Sequence, residues 1–200
     1  MSEHHETLPG GPRVGMWLFI STEILLFGGL FLLYSMYRLK NPAEFHEGSL
    51  ELSRFFGTLN TCILITSSLT VALSIHSLIE NKKGRAIAYL LSTIGLAFGF
   101  LIVKAFEWTE KYHHGLFPNA HILQSKPHGE ILYFGLYYMM TGLHAVHVIV
   151  GICVLSVFLG RVIRGTITAA HPIYLQNGGL YWHLVDLIWI FLFPLFYLIT

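Results

Sequence analysis

Two carboxylates and three histidines lie in long stretches of the sequence that otherwise lack charge. Glu23 and Asp186 are the acidic residues of these stretches. His183 precedes Asp186 by three residues, and His144 precedes His147 by the same spacing. Residues three apart share one side of a helix, and an ionisable group at the centre of a bilayer costs about 2.5–3.5 kcal/mol. These five residues are therefore the first candidates for chemistry.

Three functions and one structural role are compatible with this set. Carboxylates and imidazoles at a shared depth could carry protons, and Glu23 with a histidine could anchor a lipid headgroup or ester. His144, His147 and His183 could bind a metal, although diiron desaturase-type membrane sites use boxes of adjacent histidines, and Val148 follows His147. In the structural alternative, His144, His183 and Asp186 belong to an intramembrane polar network that fixes helix register. Spacing alone leaves these alternatives open, with metal binding the least favoured of the functions.

Five long apolar segments must position these residues. Hydrophobic residues make up 54% of the 200 residues and charged residues 12%, against about 25% charged in soluble domains, and mean hydropathy is +0.61. A bilayer core is crossed by about 20 apolar residues, and in lipid the backbone amides must be satisfied within a helix. The sequence therefore predicts an all-α polytopic membrane protein, a single membrane domain over residues 1–200 with a bundle of five transmembrane helices. These are predicted at 15–37, 55–79, 86–106, 131–160 and 180–200.

The predicted helices place the two carboxylates at similar depths from one face of the membrane. Glu23 lies eight residues into the first helix and Asp186 six residues into the fifth, about 12 and 9 Å at 1.5 Å per residue. His183 and Asp186 should then lie within pairing distance.

Two features of the third predicted helix indicate packing. Gly95 and Gly99 have the G-x-x-x-G spacing that allows close helix contact. Glu107 lies beside Lys104 and Trp108 near the end of the helix. We interpret this group as an interfacial cluster, in which the lysine snorkels and the tryptophan lies at headgroup level.

Charge and cysteine usage exclude other classes of protein. Lys and Arg number 12 and Asp and Glu 11, so there is none of the basic surplus of a nucleic-acid binder. Cys62 and Cys153 lie in apolar segments, as small buried hydrophobes do, and no disulfide framework is predicted. Residues 1–13 contain no basic stretch leading into a short apolar one, so no cleaved signal peptide is expected.

The basic residues give a modest orientation signal. The 12 Lys and Arg residues divide equally between the two predicted sides. Lys82, Lys83 and Arg85 lie in the shortest loop, close to helix ends, where the positive-inside rule applies best. This favours a cytoplasmic N-terminus and a C-terminus on the outer side.

The apolar segments that contain these polar residues resemble subunit III of haem-copper cytochrome c oxidases. Two stretches are highly specific: FGLYYMMTGLHAVHVIVG at 134–151 and YWHLVDLIWIFLF at 181–193. FISTEILLF at 19–27 and the region 59–80 are similar in the same order. The sequence is therefore identified as a member of this family over about residues 15–200.

The resemblance implies a non-redox accessory subunit of a proton-translocating respiratory oxidase, without catalytic residues, metal or haem of its own. Haem and copper would lie in subunits I and II, with subunit I as the main contact, and phospholipid would be bound. By position, Glu23 corresponds to the family's intramembrane glutamate, and His147 and Arg161 to positions lining a lipid cleft. Glu107 corresponds to a glutamate near a helix end. Stabilisation of subunit I and support of proton uptake are the expected roles.

One departure from the family concerns helix number. The commonest family form has seven helices, and this chain corresponds to the last five, so what completes the lipid cleft stays open. Five-helix relatives also serve quinol oxidases and accompany nitric oxide reductases, which leaves the electron donor open. We expect a prokaryotic plasma membrane protein. An independent membrane metalloenzyme and a stand-alone proton carrier are the alternatives from other classes.

Overall fold

The computed structural model describes residues 11–118, 120–169 and 172–199, and every regular element in these ranges is a helix. The helices are α1 (Gly11–Lys40), α2 (Pro42–Leu50), α3 (Arg54–Ile79), α4 (Lys83–His113), α5 (His121–Gln124), α6 (His128–Ile163) and α7 (Ile173–Tyr197). Five of them, α1, α3, α4, α6 and α7, are long and apolar enough to cross a membrane. The predicted all-α membrane architecture is confirmed.

Helix α7 lies at the centre of the arrangement. It packs against α1, α3 and α6, while α4 packs against α3 and α6. In the described part of the chain, no Cα atom of α1 comes within 8 Å of one in α3. Helix α7 is therefore the floor of a concave surface whose two walls are α1 and α3, and we call this surface the α7 trough.

Glycines permit the closest contacts around α7. A Cβ on Gly151 of α6 would lie 2.6 Å from the ring of Trp182, and one on Gly178 would lie 2.4 Å from the ring of Phe158. Gly95 and Gly99 behave differently, since a Cβ on either would have no heavy atom within 4 Å among the described residues. The packing predicted for this pair is not seen among the described residues, where its face of α4 meets no other helix.

Two short helices close one end of the bundle and were not predicted. Phe45 of α2 is fully buried and packs edge-on against Tyr34 and Tyr133, with centroid distances of 5.4 Å to each. After α5, Lys126 forms ion pairs with Glu130 at 2.7 Å and with Glu51 at 3.6 Å. Partial burial lowers the pKa of Lys126, but these two carboxylates outweigh it and hold the pKa above its ordinary value.

The spanning helices are longer than predicted. Helix α7 begins at Ile173 rather than at residue 180, because Gly178 and Gly179 pack tightly inside the helix instead of forming a turn. The other helices also differ from their predicted bounds. Helix α1 covers 11–40 instead of 15–37, and α3 covers 54–79 instead of 55–79. Helix α4 covers 83–113 instead of 86–106, and α6 covers 128–163 instead of 131–160. The polar ends of the spanning helices remain helical because the backbone hydrogen bonds of each helix continue past its apolar core.

These boundaries place the two carboxylates further along their helices. Glu23 is twelve residues from the start of α1 and Asp186 thirteen from the start of α7, about 18 and 20 Å along the helices. The two groups therefore keep similar distances from the starts of their helices. Cys62 and Cys153 are exposed on the outer face of the bundle, so their predicted burial is wrong. The N-terminal stretch 1–10 and the last residue of the predicted fifth helix lie outside the described residues.

Candidate functional site

Glu23 of α1 and His147 of α6 form an ion pair across two helices. The His147 Nε2 atom lies 2.9 Å from Glu23 Oε2, and its Nδ1 atom lies 2.8 Å from the Leu143 carbonyl oxygen. The side chains of Glu23 and His147 are 14% and 13% exposed. The pair therefore lies just beneath the outer surface of the bundle.

The hydrogen bonds of His147 restrict where its protons can be. A carbonyl oxygen can only accept, so the bond to Leu143 requires a proton on Nδ1. The contact between Nε2 and Glu23 then holds one further proton, either on the imidazole as an ion pair or on the carboxyl group as a neutral pair. In both states the pair is electrically neutral, which is the form of ionisable group that a membrane tolerates best.

Aromatic residues fix the position of this pair. The ring of Phe27 meets the His147 ring edge-on at 5.3 Å. Tyr181 of α7 donates its hydroxyl proton to the His147 carbonyl oxygen at 2.9 Å, and the ring of Phe19 packs against Tyr181 at 5.8 Å. Three spanning helices, α1, α6 and α7, therefore hold the pair.

A second cluster is centred on Lys104 and Glu107 of α4 and is fully enclosed. Lys104 Nζ donates to Glu107 Oε2 at 3.1 Å and to the hydroxyl oxygens of Tyr137 and Tyr197 at 2.8 Å each. Both tyrosines donate to Glu107 Oε1, at 2.9 Å and 2.6 Å. The Lys104 and Glu107 side chains are 2% and 0% exposed.

This geometry corrects the prediction of an interfacial cluster. Lys104 does not snorkel, because its ammonium group lies among the rings of Tyr137, Trp189 and Tyr197, 4.6–5.5 Å from their centroids. The charges of lysine and glutamate cancel, and every bond of the network stays inside the chain. The cluster ties α4 to α6 and α7.

Asp186 and His183 share one groove but do not pair. No ion pair joins them among the described residues, and His183 Nδ1 instead lies 2.6 Å from the Ser68 hydroxyl of α3. Asp186 is 3% exposed and both of its carboxylate oxygens are enclosed, with the Ser68 side chain as the hydrogen-bonding group beside them. All three residues line a groove of about 400 Å³ between α3 and α7. The pairing predicted from their i, i+3 spacing is wrong.

His144 makes no hydrogen bond with His183 or Asp186 in the described part of the chain. It is fully buried, and neither ring nitrogen has a hydrogen-bond partner in the described residues. Its ring packs at 5.5 Å from Phe100 and 5.3 Å from Trp189. His144 therefore does not join His183 and Asp186 in the predicted network. The three candidate histidines make separate contacts, and the described residues contain no group of three or more His, Cys, Asp or Glu that could hold a metal ion.

Arg161 is the remaining predicted site residue. It is exposed in the last turn of α6, fourteen residues after His147, or about 21 Å along the helix. The structure therefore does not bring it to Glu23. Tyr137, Tyr197 and Ser68 were not predicted, and an isolated tyrosine or serine in an apolar segment gives no signal of a partner on another helix.

In the described part of the chain, the fold and these clusters define a helical membrane protein with five candidate spanning segments, whose paired ionisable groups form small clusters and no group of three or more metal-ligating residues. Comparison with known proteins gives the family. A family model described as cytochrome c oxidase subunit III matches residues 1–200. The chain belongs to the cytochrome c oxidase subunit III family.

Individual relatives agree with this assignment. The chain is 34% identical over 196 residues to "Cytochrome c oxidase subunit 3" of Allomyces macrogynus, covering 95% of this chain and 67% of the relative. It is 34% identical over 200 residues to the protein of the same name from Gallus gallus, covering 97% and 72%. It is also 31% identical over 193 residues to "Heme-copper oxidase subunit I+III" of Aeropyrum pernix, covering 94% of this chain and 22% of that longer protein.

Proposed function

We propose that the chain is the non-redox accessory subunit of a respiratory haem-copper terminal oxidase in a prokaryotic plasma membrane. In this proposal it packs against subunit I, which together with subunit II carries the haems and copper. The relative whose name joins subunits I and III in one chain supports a side-by-side arrangement of the two units. The N-terminus would be cytoplasmic, since Lys82, Lys83 and Arg85 lie on that side.

The Glu23–His147 pair carries the proposal for the site. It is neutral as a whole, holds one proton between two ionisable groups, and lies at the bundle surface within two membrane-spanning helices. Transfer of the shared proton between Glu23 and His147 leaves the pair neutral, so a proton can move within the pair without placing a net charge in the bilayer. Its role would be to support proton entry into the neighbouring catalytic subunit and to keep that subunit stable through turnover.

Lipid would be bound along the same side of α6. Arg161 offers a cation at the helix end, where a phosphate headgroup lies. Between Arg161 and His147 the α6 surface exposes Val150 and Val157, which suit an acyl chain. Glu107 would contribute by fixing helix positions rather than by touching lipid, because its side chain is fully buried.

The test uses the co-expressed oxidase purified through a tag on subunit I. Glu23→Ala removes the pair, Glu23→Gln keeps an amide that can still bond His147, and Glu110→Ala removes an exposed carboxylate on α4 as a control. We expect both Glu23 variants to lose activity faster during continuous turnover than the control, and Glu23→Ala to retain less lipid by mass spectrometry. Unchanged lifetime and lipid content in both variants would remove this role for Glu23.

The identity of the complex is tested separately by its optical spectrum and metal content. Haem bands in the fraction that contains this chain are expected, and the haem type and the donor, cytochrome c or quinol, follow from the same preparation. A stoichiometric metal on the isolated chain, or co-purification without haem, would contradict the proposed function.

A further inference from the structure

Aromatic rings from three separate segments line a pocket beside the end of α4. Trp108 and Tyr112 lie about one turn apart on α4. Tyr138 lies on α6, and Phe117 lies in the segment between α4 and α5. The pocket has a volume of about 310 Å³, and Thr109 completes its lining. Four of the five lining residues are therefore aromatic, and we call this site the aromatic pocket.

The end of α4 turns the chain so that Phe117 returns to the pocket. Gly115 has a φ of +67°, the left-handed conformation that glycine adopts most easily. Its N–H donates to the Tyr112 carbonyl oxygen at 3.1 Å, and the Leu116 N–H donates to the Lys111 carbonyl oxygen at 3.0 Å. These two bonds form a Schellman helix end. The ring of Phe117 then stacks on the ring of Tyr112, with centroids 4.6 Å apart and planes inclined by 24°.

The walls of the pocket offer mainly ring surface. The Trp108 Nε1 atom and the Tyr138 hydroxyl are enclosed, although both residues are partly exposed, so the side-chain surface that they present is carbon. The Thr109 hydroxyl already donates to the Ala105 carbonyl oxygen at 2.8 Å. The face of an aromatic ring is the negative side of its quadrupole, and a cation is therefore the polar group that these walls attract.

No lysine or arginine of the chain lies over these four rings. All 12 lysine and arginine residues fall within the described ranges. Their contacts with ring faces are those of Lys104, which involve Tyr137, Trp189 and Tyr197 and no ring of the aromatic pocket. The charge of Lys104 is also balanced by Glu107. A cation for the aromatic pocket must therefore come from another molecule.

Position along α4 indicates which molecule supplies the cation. Residues 86–103 form an uncharged run of 18 residues, about 27 Å of helix, which is close to the thickness of about 30 Å of a bilayer's hydrocarbon layer. Trp108 and Tyr112 lie five and nine residues past this run, about 8 and 14 Å further along the helix. The aromatic pocket is therefore at the level of lipid headgroups, where ammonium groups lie.

We propose that the aromatic pocket binds the ammonium group of a phospholipid headgroup, the group that phosphatidylethanolamine and phosphatidylcholine carry. The site is separate from the lipid position proposed beside Arg161, because Tyr138 precedes Arg161 by 23 residues, about 35 Å along α6. It also selects the opposite charge, since Arg161 attracts a phosphate and ring faces attract an ammonium group. The site depends only on α4, α6 and the segment between α4 and α5, so it is independent of the proposed function.

The test compares headgroups on identical acyl chains. The complex is purified in a non-ionic detergent through a tag on this chain, and dihexanoyl forms of phosphatidylcholine, phosphatidylethanolamine and phosphatidylglycerol are added singly. Native mass spectrometry measures the lipid retained at each concentration. We expect the two ammonium lipids to be retained at lower concentrations than phosphatidylglycerol, which has no cationic group. Equal retention of all three lipids would overturn the proposal.

Variants of the pocket assign this preference to its rings. Tyr112 is 60% exposed, so Tyr112→Leu removes a ring without opening the core and should weaken binding of the ammonium lipids by about 2- to 5-fold. Tyr112→Phe keeps the ring and should bind them as the wild type does. Phe106→Leu is the matched control, because Phe106 is 67% exposed on the same helix and does not line the pocket.

Two further results would contradict the proposal. If Tyr112→Leu retains the ammonium lipids as well as Phe106→Leu does, the aromatic pocket is not their site. If Tyr112→Phe loses as much binding as Tyr112→Leu, the hydroxyl and not the ring face makes the contact. Phe117→Leu removes the stacked ring and should give the same 2- to 5-fold loss, which decides the question if Tyr112→Leu fails to assemble. Absence of haem from the same preparation would contradict only the proposed function.

Discussion

Removing the Glu107 carboxylate should destabilise the chain more than any other single change to its polar residues. Glu107 accepts hydrogen bonds from Lys104 at 3.1 Å, Tyr137 at 2.9 Å and Tyr197 at 2.6 Å. In Glu107→Leu these three donors lose that acceptor, and the 2%-exposed ammonium group loses its counter-charge. Breaking a buried ion pair by removing one partner costs about 3–5 kcal/mol.

The second half of the prediction concerns the double variant. Lys104→Met leaves Glu107 with two tyrosine donors, so its cost should be smaller. Lys104→Met/Glu107→Leu removes both charges, and apolar replacement of a whole buried pair is often near neutral. The double variant should therefore be more stable than Glu107→Leu alone, although it carries one more substitution.

The assay is thermal unfolding of the purified complex followed by tryptophan fluorescence, at several scan rates. For a chain of this length, 3–5 kcal/mol corresponds to a fall in Tm of about 6–20 °C. Glu110→Leu is the matched control, since this carboxylate lies on the same helix and is exposed. A Glu107→Leu shift no larger than that of the control, or a double variant whose shift is the sum of the single ones, would refute the interpretation of the cluster as a coupled buried pair.

Three further predictions follow from packing and charge. Gly151→Ala should lower stability by about 1–3 kcal/mol through its clash with Trp182, whereas Gly95→Ala should be neutral or stabilising; unfolding midpoints of the two variants compare them. His144→Leu should leave the midpoint unchanged or raise it, because it removes two unsatisfied buried nitrogens, and a fall of several degrees would show that His144 has a partner. Lys126→Met should lower the free energy of unfolding by up to about 1 kcal/mol. Because the pKa of Lys126 is raised, its ion pairs contribute fully to stability below about pH 10.4, and this contribution is lost as pH rises through the folded-state pKa. The wild-type and Lys126→Met proteins should therefore converge in stability at high pH.

The spanning helices could be predicted because length and apolar composition are properties of single segments. The helix ends could not, because the hydropathy signal stops where the apolar core stops, while the helical backbone continues. The start of α7 shows this most clearly. Gly178 and Gly179 have the composition of a turn, and only the positions of Phe158 and Ile75 beside them show that they are packing positions inside a helix.

The polar contacts show the limit of spacing as a guide. The i, i+3 spacing holds for Lys104 and Glu107, which bond at 3.1 Å, and fails for His183 and Asp186. In the first case both residues face the same neighbouring helices, whereas His183 bonds Ser68 on α3 instead. Spacing fixes the side of a helix, but the partner is supplied by residues far away in sequence, which no local pattern identifies.

Three carboxylates, Glu23, Glu107 and Asp186, differ in how the chain contacts them. Glu107 is satisfied by residues of three helices and is closed off. Glu23 is paired with one histidine at the bundle surface, and Asp186 is enclosed beside Ser68 in the groove between α3 and α7. Helices in lipid gain little from apolar contact with each other, so hydrogen bonds and close packing decide their association. Loss of Glu107 should therefore lower the unfolding midpoint of the chain, whereas loss of Glu23 should leave the fold intact and shorten the working life of the complex.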